Sequence, residues 1–158
     1  MSELLVVICG AAILTGIGVP VMGTLLDNYG AIMAAQEITT NLQYARMKAV
    51  SSNESFRVSI SPSGNSYSLE TSAGALHSGP YTLPQGITWN NIDSGGAVTF
   101  PGNHVIFLPT GNLPSAGNGS TGRIKIINRS GVRVDIVVSP GGMIRATPTY
   151  KTAGGAAF

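Results

Sequence analysis

The chain has 158 residues, a formal net charge of +2 at pH 7, and a charged fraction of 10%, against about 25% in typical soluble domains. This length accommodates one globular domain beside a long helix, and the single cysteine, Cys9, excludes an intramolecular disulfide. With 21 glycines and many Ser, Thr and Asn residues, the surface is polar rather than ionic, which suits an extracytoplasmic module packed among copies of itself.

The first predicted element is an apolar helix. No Asp, Glu, Lys, Arg or His occurs from Leu4 to Leu26, and a helix of that length would measure about 35 Å, enough to cross a hydrocarbon core. Glu3 stands directly before it. Because a carboxylate at membrane depth costs about 3 kcal/mol, we expect it either to pair with an N-terminal amine, its own or a neighbour's, or to lie among lipid headgroups as part of an ordinary anchor.

Several helix-weakening residues fall within this apolar segment, namely Gly10, Gly16, Gly18 and Pro20. Each glycine costs about 1 kcal/mol relative to alanine in a helix, and an interior proline removes a hydrogen bond. Two interpretations stay open. The residues are either the small side chains that let membrane helices pack closely, or a section that loses helicity when subunits leave the lipid and enter a filament.

The second predicted element is an amphipathic continuation of the same helix, ending near Ser52. Apolar residues spaced by three or four positions predict an inward face. They are Met22, Leu25, Tyr29, Ile32, Ala35, Ile38, Leu42, Ala45 and Ala49. The chain is therefore divided into an apolar membrane or filament-core helix at 1–23, an amphipathic helix at 24–53 that forms the spine of the domain, and the remainder at 54–158.

From Ser55 the apolar period changes to two, which predicts antiparallel β structure laid against the helix and hence an α+β fold. The first two strands form a hairpin around the turn Pro62 to Asn65, and turns at Asn128 to Gly131 and Ser139 to Gly142 join the last three. The segments 72–86 and 110–122 are predicted loops. The predicted strands after the hairpin are Ile87 to Ile92, Ala97 to Phe100, His104 to Leu108, Arg123 to Asn128, Val132 to Ser139 and Met143 to Thr147.

The run Glu3-Leu4-Leu5-Val6-Val7-Ile8, with Pro20 seventeen residues after the glutamate, resembles the N-terminal helix of type IV pilins and type II secretion pseudopilins. Only Met1 and Ser2 precede Glu3, where that family has four residues. Three later blocks are similar to the GspH/FimT group of minor pilins and pseudopilins. They are Tyr44 to Val50, Phe107 to Gly111 and Val137 to Ile144.

This resemblance implies a non-enzymatic filament subunit with a pilin-like fold. Its partners would be copies of itself or other pilins, the inner membrane before assembly, and a prepilin peptidase that cleaves and N-methylates it. It would then reside in a periplasmic or extracellular filament. Glu3 would neutralise the N-terminal amine of a neighbour, and Leu4, Leu5, Val6, Val7 and Pro20 would belong to the assembly contact. Whether the chain is a minor subunit or the major one stays open.

Catalytic motifs are not evident. Gly117 to Gly122 formally fits G-x-G-x-x-G, but a strand-like segment follows it, whereas a phosphate-binding loop must open a helix. His77 and His104 are isolated in the sequence, and Cys9 is best explained as a small buried hydrophobe. We therefore expect no catalytic residues, no metal and no cofactor.

The last third of the sequence is basic. From Arg123 onward six cations, Arg123, Lys125, Arg129, Arg133, Arg145 and Lys151, stand against the single anion Asp135. The favoured interpretation is a solvated β face that contacts an acidic part of the next subunit. The alternative is binding of DNA phosphates by Arg129, Arg133 and Arg145. Some FimT-like minor pilins are associated with DNA uptake through a Gly-Arg-x-Arg element, of which Gly142 to Arg145 keeps only the last arginine.

Overall fold

The computed structural model describes residues 2–91, 96–115 and 121–149, with side chains from residue 26 onward. One helix, α1, spans Ser2–Ser52. It is followed by strands β1 Phe56–Ser61, β2 Ser66–Thr71, β3 Leu76–Thr82 and β4 Ile87–Trp89. After a 3-10 turn at Pro101–Asn103 come β5 His104–Phe107, β6 Gly122–Asn128, β7 Arg133–Val138 and β8 Ile144–Thr149.

The helix has the predicted extent. At 51 residues and about 1.5 Å per residue it is roughly 76 Å long. Its end is built by local polar groups. The hydroxyl of Ser52 donates to the carbonyl of Lys48 at 2.7 Å, and Asn53 adopts a left-handed conformation at φ 54°. The amide of Glu54 then reaches back to the carbonyl of Ala49 at 3.2 Å, which closes the last turn in the manner of a Schellman cap.

The strands form two antiparallel four-stranded sheets, with strand orders β3-β2-β1-β5 and β4-β6-β7-β8. In the predicted hairpin, Phe56 lies opposite Thr71 and Ser61 opposite Ser66. Alternate residues of each central strand point into one core, against which α1 packs. The α+β prediction is therefore confirmed.

The helix contributes mostly small side chains to this core. Ala31, Ala34, Ala35, Ala45 and Ala49 are each at most 2% exposed, as are Ile38 and Leu42. Because alanine carries only a methyl group, the backbone of α1 can lie close to both sheets. Larger residues from the strands, such as Phe107, Ile124 and Leu69, fill the space on the other side.

The predicted inward face of the helix is wrong at Tyr29, which is 64% exposed. Steps of three residues turn a helix by about 300°, so the series from Tyr29 through Ile32 and Ala35 rotates away from any fixed face. Ala31 and Ala34 occupy the buried positions instead. Ile38, Leu42, Ala45 and Ala49 are buried as expected.

The β predictions need three corrections. The strand predicted from Ile87 to Ile92 already ends at Trp89. The segment 72–86 is not all loop, because it contains β3, an edge strand with exposed residues on both faces and therefore no alternation to detect. The segment Ala97 to Phe100 makes only an isolated bridge between Val98 and Ile124, since Pro101 follows at once. The strands predicted for β5 to β8 are confirmed to within two residues at either end.

A partly buried polar network joins the helix to β2. The Tyr67 hydroxyl accepts a hydrogen bond from Asn41 Nδ2 at 2.7 Å. The same hydroxyl lies 3.4 Å from a carboxylate oxygen of Glu37. Burial raises the pKa of Tyr67 well above the ordinary value of about 10, opposed by the Asn41 bond and reinforced by the Glu37 charge. The folded state thus favours the neutral phenol.

From this we predict a loss of stability in alkali. The contribution of the neutral Tyr67 is fully present below the unfolded-state pKa of about 10 and declines as pH rises toward the folded-state pKa. Tyr67→Phe should lower the free energy of unfolding by about 1 kcal/mol at neutral pH. Above pH 10, the free energy of unfolding of this variant should fall less than that of the unchanged protein. Denaturant titrations of both proteins at several pH values test this, and parallel declines would contradict it.

Candidate assembly surface

Exposed apolar side chains are concentrated on one side of α1. Among the residues with described side chains, this outer stripe comprises Leu26, Tyr29, Met33, Tyr44, Met47 and Val50, with exposures from 41% to 66%. At about 100° per residue they fall within an arc opposite the buried alanines. The outer stripe is interrupted in its middle by the exposed polar residues Gln36, Glu37 and Thr40. The helix therefore has one apolar face in the core and a second, largely exposed apolar face, on which Tyr44 packs against His77.

The sequence-predicted assembly residues precede this stripe. The structure does not describe the side chains at these positions, which are Glu3, Leu4, Leu5, Val6, Val7 and Pro20 together with the helix-weakening Gly10, Gly16 and Gly18. Helix α1 runs through all of these positions from Ser2. Within residues 26–91, 96–115 and 121–149 no helix is long and apolar enough to cross a membrane, and the predicted span at 1–23 falls outside that part.

The three sequence blocks that resemble the GspH/FimT group meet at Arg46. Its Nε donates to the carbonyl of Gly111 at 2.9 Å, and its Nη2 lies 3.4 Å from the carbonyl of Gly141. The backbone N–H of Leu113 also donates a hydrogen bond to the carbonyl of Pro140 at 2.8 Å. The blocks therefore form a structural junction between the helix, the segment after β5 and the β7–β8 turn.

This junction borders an open groove of about 530 Å³. One wall is the helix and the other is the β7–β8 turn with the start of β8. The lining residues are Gln43, Arg46, Met47, Gly141, Gly142, Met143 and Ile144. Met47 and Met143 are 63% and 61% exposed at its edges, which gives the groove an adaptable apolar rim.

A second junction holds the helix at its other described end. The Nδ2 of buried Asn128 donates to the carbonyl of Asp27 at 3.0 Å and lies 3.2 Å from Oδ1 of Asn28, while its Oδ1 accepts from the amide of Val132 at 2.8 Å. Both the nitrogen and the oxygen of its side-chain amide therefore have hydrogen-bond partners. Sequence reasoning missed this asparagine, because a polar residue at the end of a strand gives no sign of which element it will meet.

The basic residues do not all lie together. Arg133 and Arg145 are on the outer face of the second sheet, opposite Thr149 and Val137 respectively. Arg123 shares that face, and its Nη1 lies 3.8 Å from a carboxylate oxygen of Asp135. Arg129 lies instead in the turn after β6, with its side chain against Gly86.

The two histidines have separate environments. His77 packs edge-on against Phe56 and lies 3.4 Å from the Tyr44 hydroxyl, whereas His104 Nδ1 lies 3.0 Å from the carbonyl of Gly102. Across the described part of the chain, no three His, Cys, Asp or Glu side chains are grouped to hold a metal ion.

Comparison with known proteins agrees with this architecture. A family model described as "Type II transport protein GspH" matches residues 34–142. No curated protein matches significantly. The crystal structure of the type IV minor pilin FimU from Pseudomonas aeruginosa aligns with a TM-score of 0.55 and 20% identity, covering 73% of this chain and 91% of that one.

The minor pseudopilin EpsH from the type II secretion system of Vibrio cholerae aligns with a TM-score of 0.52 and 13% identity, covering 74% of this chain and 95% of that one. At these identities the two structures demonstrate a shared pilin fold. The family match covers most of the chain and includes Arg46, Gly111 and Gly141 of the junction. The chain therefore belongs to the GspH family of type II transport proteins, which are structural pseudopilins and not enzymes.

Proposed function

We propose that this protein is a structural subunit of a type IV pilus-like or type II secretion pseudopilus filament, assembled through α1. The observation that carries this proposal is the outer stripe. Leu26, Tyr29 and Met33 are 66%, 64% and 64% exposed and directly continue the charge-free segment that begins at Leu4. Contact with lipid or with other helices would stabilise such a surface, because exposed apolar area is unfavourable in water.

In this proposal the first half of α1 has two successive environments. The segment 4–22 lies in the inner membrane before assembly, and a prepilin peptidase prepares the N-terminus. In the filament, Glu3 pairs with the N-terminal amine of a neighbouring subunit, while Leu4, Leu5, Val6 and Val7 pack against other helices. The β domain then faces outward, either into the periplasm or beyond the cell.

Two interpretations of the helix-weakening residues are compatible with this change of environment, namely loss of helicity and close helix packing. These residues are Gly10, Gly16, Gly18 and Pro20. Loss of helicity in the filament would shorten the helix and adjust the position of the β domain relative to the core. Close packing would instead keep the helix intact and bring neighbouring backbones together. Amide hydrogen exchange of this segment in micelles and in filaments distinguishes the two.

The direct test of the proposal is electron microscopy of sheared surface material from cells expressing the chain, with mass spectrometry of the subunit and its N-terminus. Filaments that contain the chain are the expected result. If it is the bulk component, it is a major pilin. If it is present in traces beside a dominant pilin, it is a minor subunit. Its complete absence from filaments in cells that do assemble them would contradict the proposal.

A second candidate function is binding of DNA, supported by one observation. Arg123, Arg133 and Arg145 share the outer face of the second sheet. Arg133 and Arg145 are separated by four positions along the ladder, about 13 Å, which is compatible with contacts to different phosphates. Asp135 lies between them and weakens the positive potential. Arg129 lies outside this face, so we expect it to contribute less to binding than Arg133 and Arg145.

The DNA hypothesis predicts salt-sensitive affinity of the detergent-solubilised chain for duplex DNA. Each lost phosphate contact should reduce the slope of log affinity against log salt by about 1. Arg129→Ala, Arg133→Ala and Arg145→Ala combined should abolish binding, and the last two alone should remove most of it. Lys48→Ala on the helix is the matched control. Unchanged binding in the triple variant would exclude this surface.

A further inference from the structure

The groove beside the Arg46 junction combines an open apolar rim with a positive charge. This helix–turn groove is bounded by α1 on one side and by the β7–β8 turn with the start of β8 on the other. Its volume of about 530 Å³ lies within the range of about 300 to 1,000 Å³ that is typical of binding sites. Met47 and Met143, on its two walls, are both more than 60% exposed. Methionine is an adaptable apolar contact and is enriched at protein interfaces, so these walls suit a protein partner.

Arg46 supplies the charge of the helix–turn groove. Its contacts with the carbonyl groups of Gly111 and Gly141 use two of the five N–H donors of the guanidinium. Neither carbonyl carries a formal negative charge, and within the described part of the chain Arg46 forms no ion pair. None of the residues that line the groove is acidic. The positive charge of Arg46 is therefore available to a carboxylate that enters the groove from outside.

The acids that the structure describes in this chain are poor candidates for that carboxylate. Four of the five lie next to a hydroxyl or a cation of the same chain. These pairs are Asp27 with Ser130, Glu37 with Tyr67, Glu70 with Arg57 and Asp135 with Arg123. The fifth, Glu54, lies past the end of α1 and is followed by Ser55 and the buried Phe56, not by an exposed apolar residue. The groove therefore suits a different protein better than a second copy of this chain.

We propose that the helix–turn groove binds a different subunit of the same filament, which inserts an apolar side chain between Met47 and Met143 and places a neighbouring carboxylate against Arg46. The inference rests on the proposed filament function and names the chemistry of one partner. Burial of the apolar side chain and charge-assisted hydrogen bonds from the guanidinium both favour this contact. Because two carbonyl groups already hold Arg46 in place, less side-chain entropy is lost on binding. The contact does not repeat from copy to copy, so it is compatible with a subunit that is present in few copies.

Photo-crosslinking of the full chain in filament-forming cells tests this contact. The photoreactive amino acid p-benzoylphenylalanine replaces Met143 in the groove or, as a control, Thr82, an exposed residue at the end of β3 in the other sheet. Filaments are sheared off after irradiation, and mass spectrometry identifies the joined peptides. At residue 143 the expected product contains a different pilin-like subunit, joined within four residues of an Asp or Glu. The control at residue 82 should not give that product.

Charge changes at Gln43, which lines the groove, test the role of the carboxylate. Gln43→Glu should reduce the cross-link from residue 143 at least about tenfold, because like charges then face each other, whereas Gln43→Lys should retain it. Gln36→Glu is the matched control, since it makes the same change two turns earlier on α1, about 10 Å away and outside the groove. Once the joined acid of the partner is identified, its replacement by lysine should restore the cross-link in the Gln43→Glu chain.

The outcomes separate this proposal from the function on which it rests. If filaments contain the chain but residue 143 joins only a second copy of it, or gives no product, the inference is overturned and the filament function stands. Equal losses in Gln43→Glu and Gln43→Lys would also overturn it, because the partner would then bring no carboxylate. If the unsubstituted chain never enters filaments in cells that assemble them, the filament function fails and the inference fails with it.

Discussion

Gly142→Ala is expected to destabilise the protein by roughly 3 kcal/mol or more. The residue has a left-handed backbone, with φ +74°, which costs an L-amino acid about 1 to 2 kcal/mol. A Cβ placed there would lie 2.1 Å from the Gly111 carbonyl oxygen and 2.7 Å from Arg46 Nε. Relief of that overlap requires separation of the segment after β5 from the β7–β8 turn, and it disrupts the hydrogen bonds of Arg46.

The single tryptophan supplies the measurement. Trp89 is 4% exposed in the core, so its fluorescence follows unfolding of the β domain in guanidinium. Gly131→Ala is the matched control, because Gly131 has a similar φ of +83° but open space around its Cβ position. It should cost only about 1 kcal/mol. Equal losses in the two variants would mean that backbone strain alone matters and that the close contact at Gly142 is relieved without cost.

The Arg46 junction gives a structural reason for the sequence blocks by which the chain resembles the GspH/FimT group. Phe107 to Gly111 and Val137 to Ile144 are distant in sequence and carry no visible chemistry. In the fold, Gly111 and Gly141 present carbonyl groups to one guanidinium, and Gly142 permits their close approach. These blocks are therefore explained by the attachment of the helix to the sheets rather than by a ligand site.

Sequence reasoning succeeded where a local signal decided the outcome. The period of the apolar residues changes at Ser55, and the structure places the end of α1 at Ser52 and the start of β1 at Phe56. Alternation identified β1, β2, β6 and β7, whose inward residues are buried. The motif beginning at Glu3 led to the family, although its side chains lie outside the part that the structure describes.

Sequence reasoning failed where long-range packing decided the outcome. Tyr29 fits an apolar spacing, but which helix face meets the sheets is set by Ala31 and Ala34, whose small size allows close approach. Edge strand β3 has no buried face to impose alternation. Arg129 lies in the predicted turn after β6 with its side chain against Gly86, whereas the register of β7 and β8 places Arg133 and Arg145 on the outer face. The sequence alone does not specify these side-chain directions.

The assembly role of Glu3 gives the second prediction, in which Glu3→Ala leaves the β domain folded and reduces filament yield to about a tenth or less. A charge pair at about 4 Å contributes roughly 4 kcal/mol at an effective dielectric of 20, and tenfold in yield needs only about 1.4 kcal/mol of it. The substitution is far from the core residues of the β domain. Quantitative electron microscopy and immunoblotting of sheared filaments, normalised to the amount of chain in the membrane, measure the effect.

Glu3→Gln separates charge from shape in this prediction. Its side chain has nearly the same volume and remains able to form hydrogen bonds but cannot neutralise an amine, so it should fail in assembly almost as fully as the alanine variant. Ser2→Ala, one residue earlier, is the control for general disturbance of the N-terminus and should assemble normally. Trp89 fluorescence should be unchanged in all three variants, since the core is untouched. Normal filament yield from both Glu3 variants would instead favour the simpler interpretation, in which Glu3 lies among lipid headgroups and only anchors the helix.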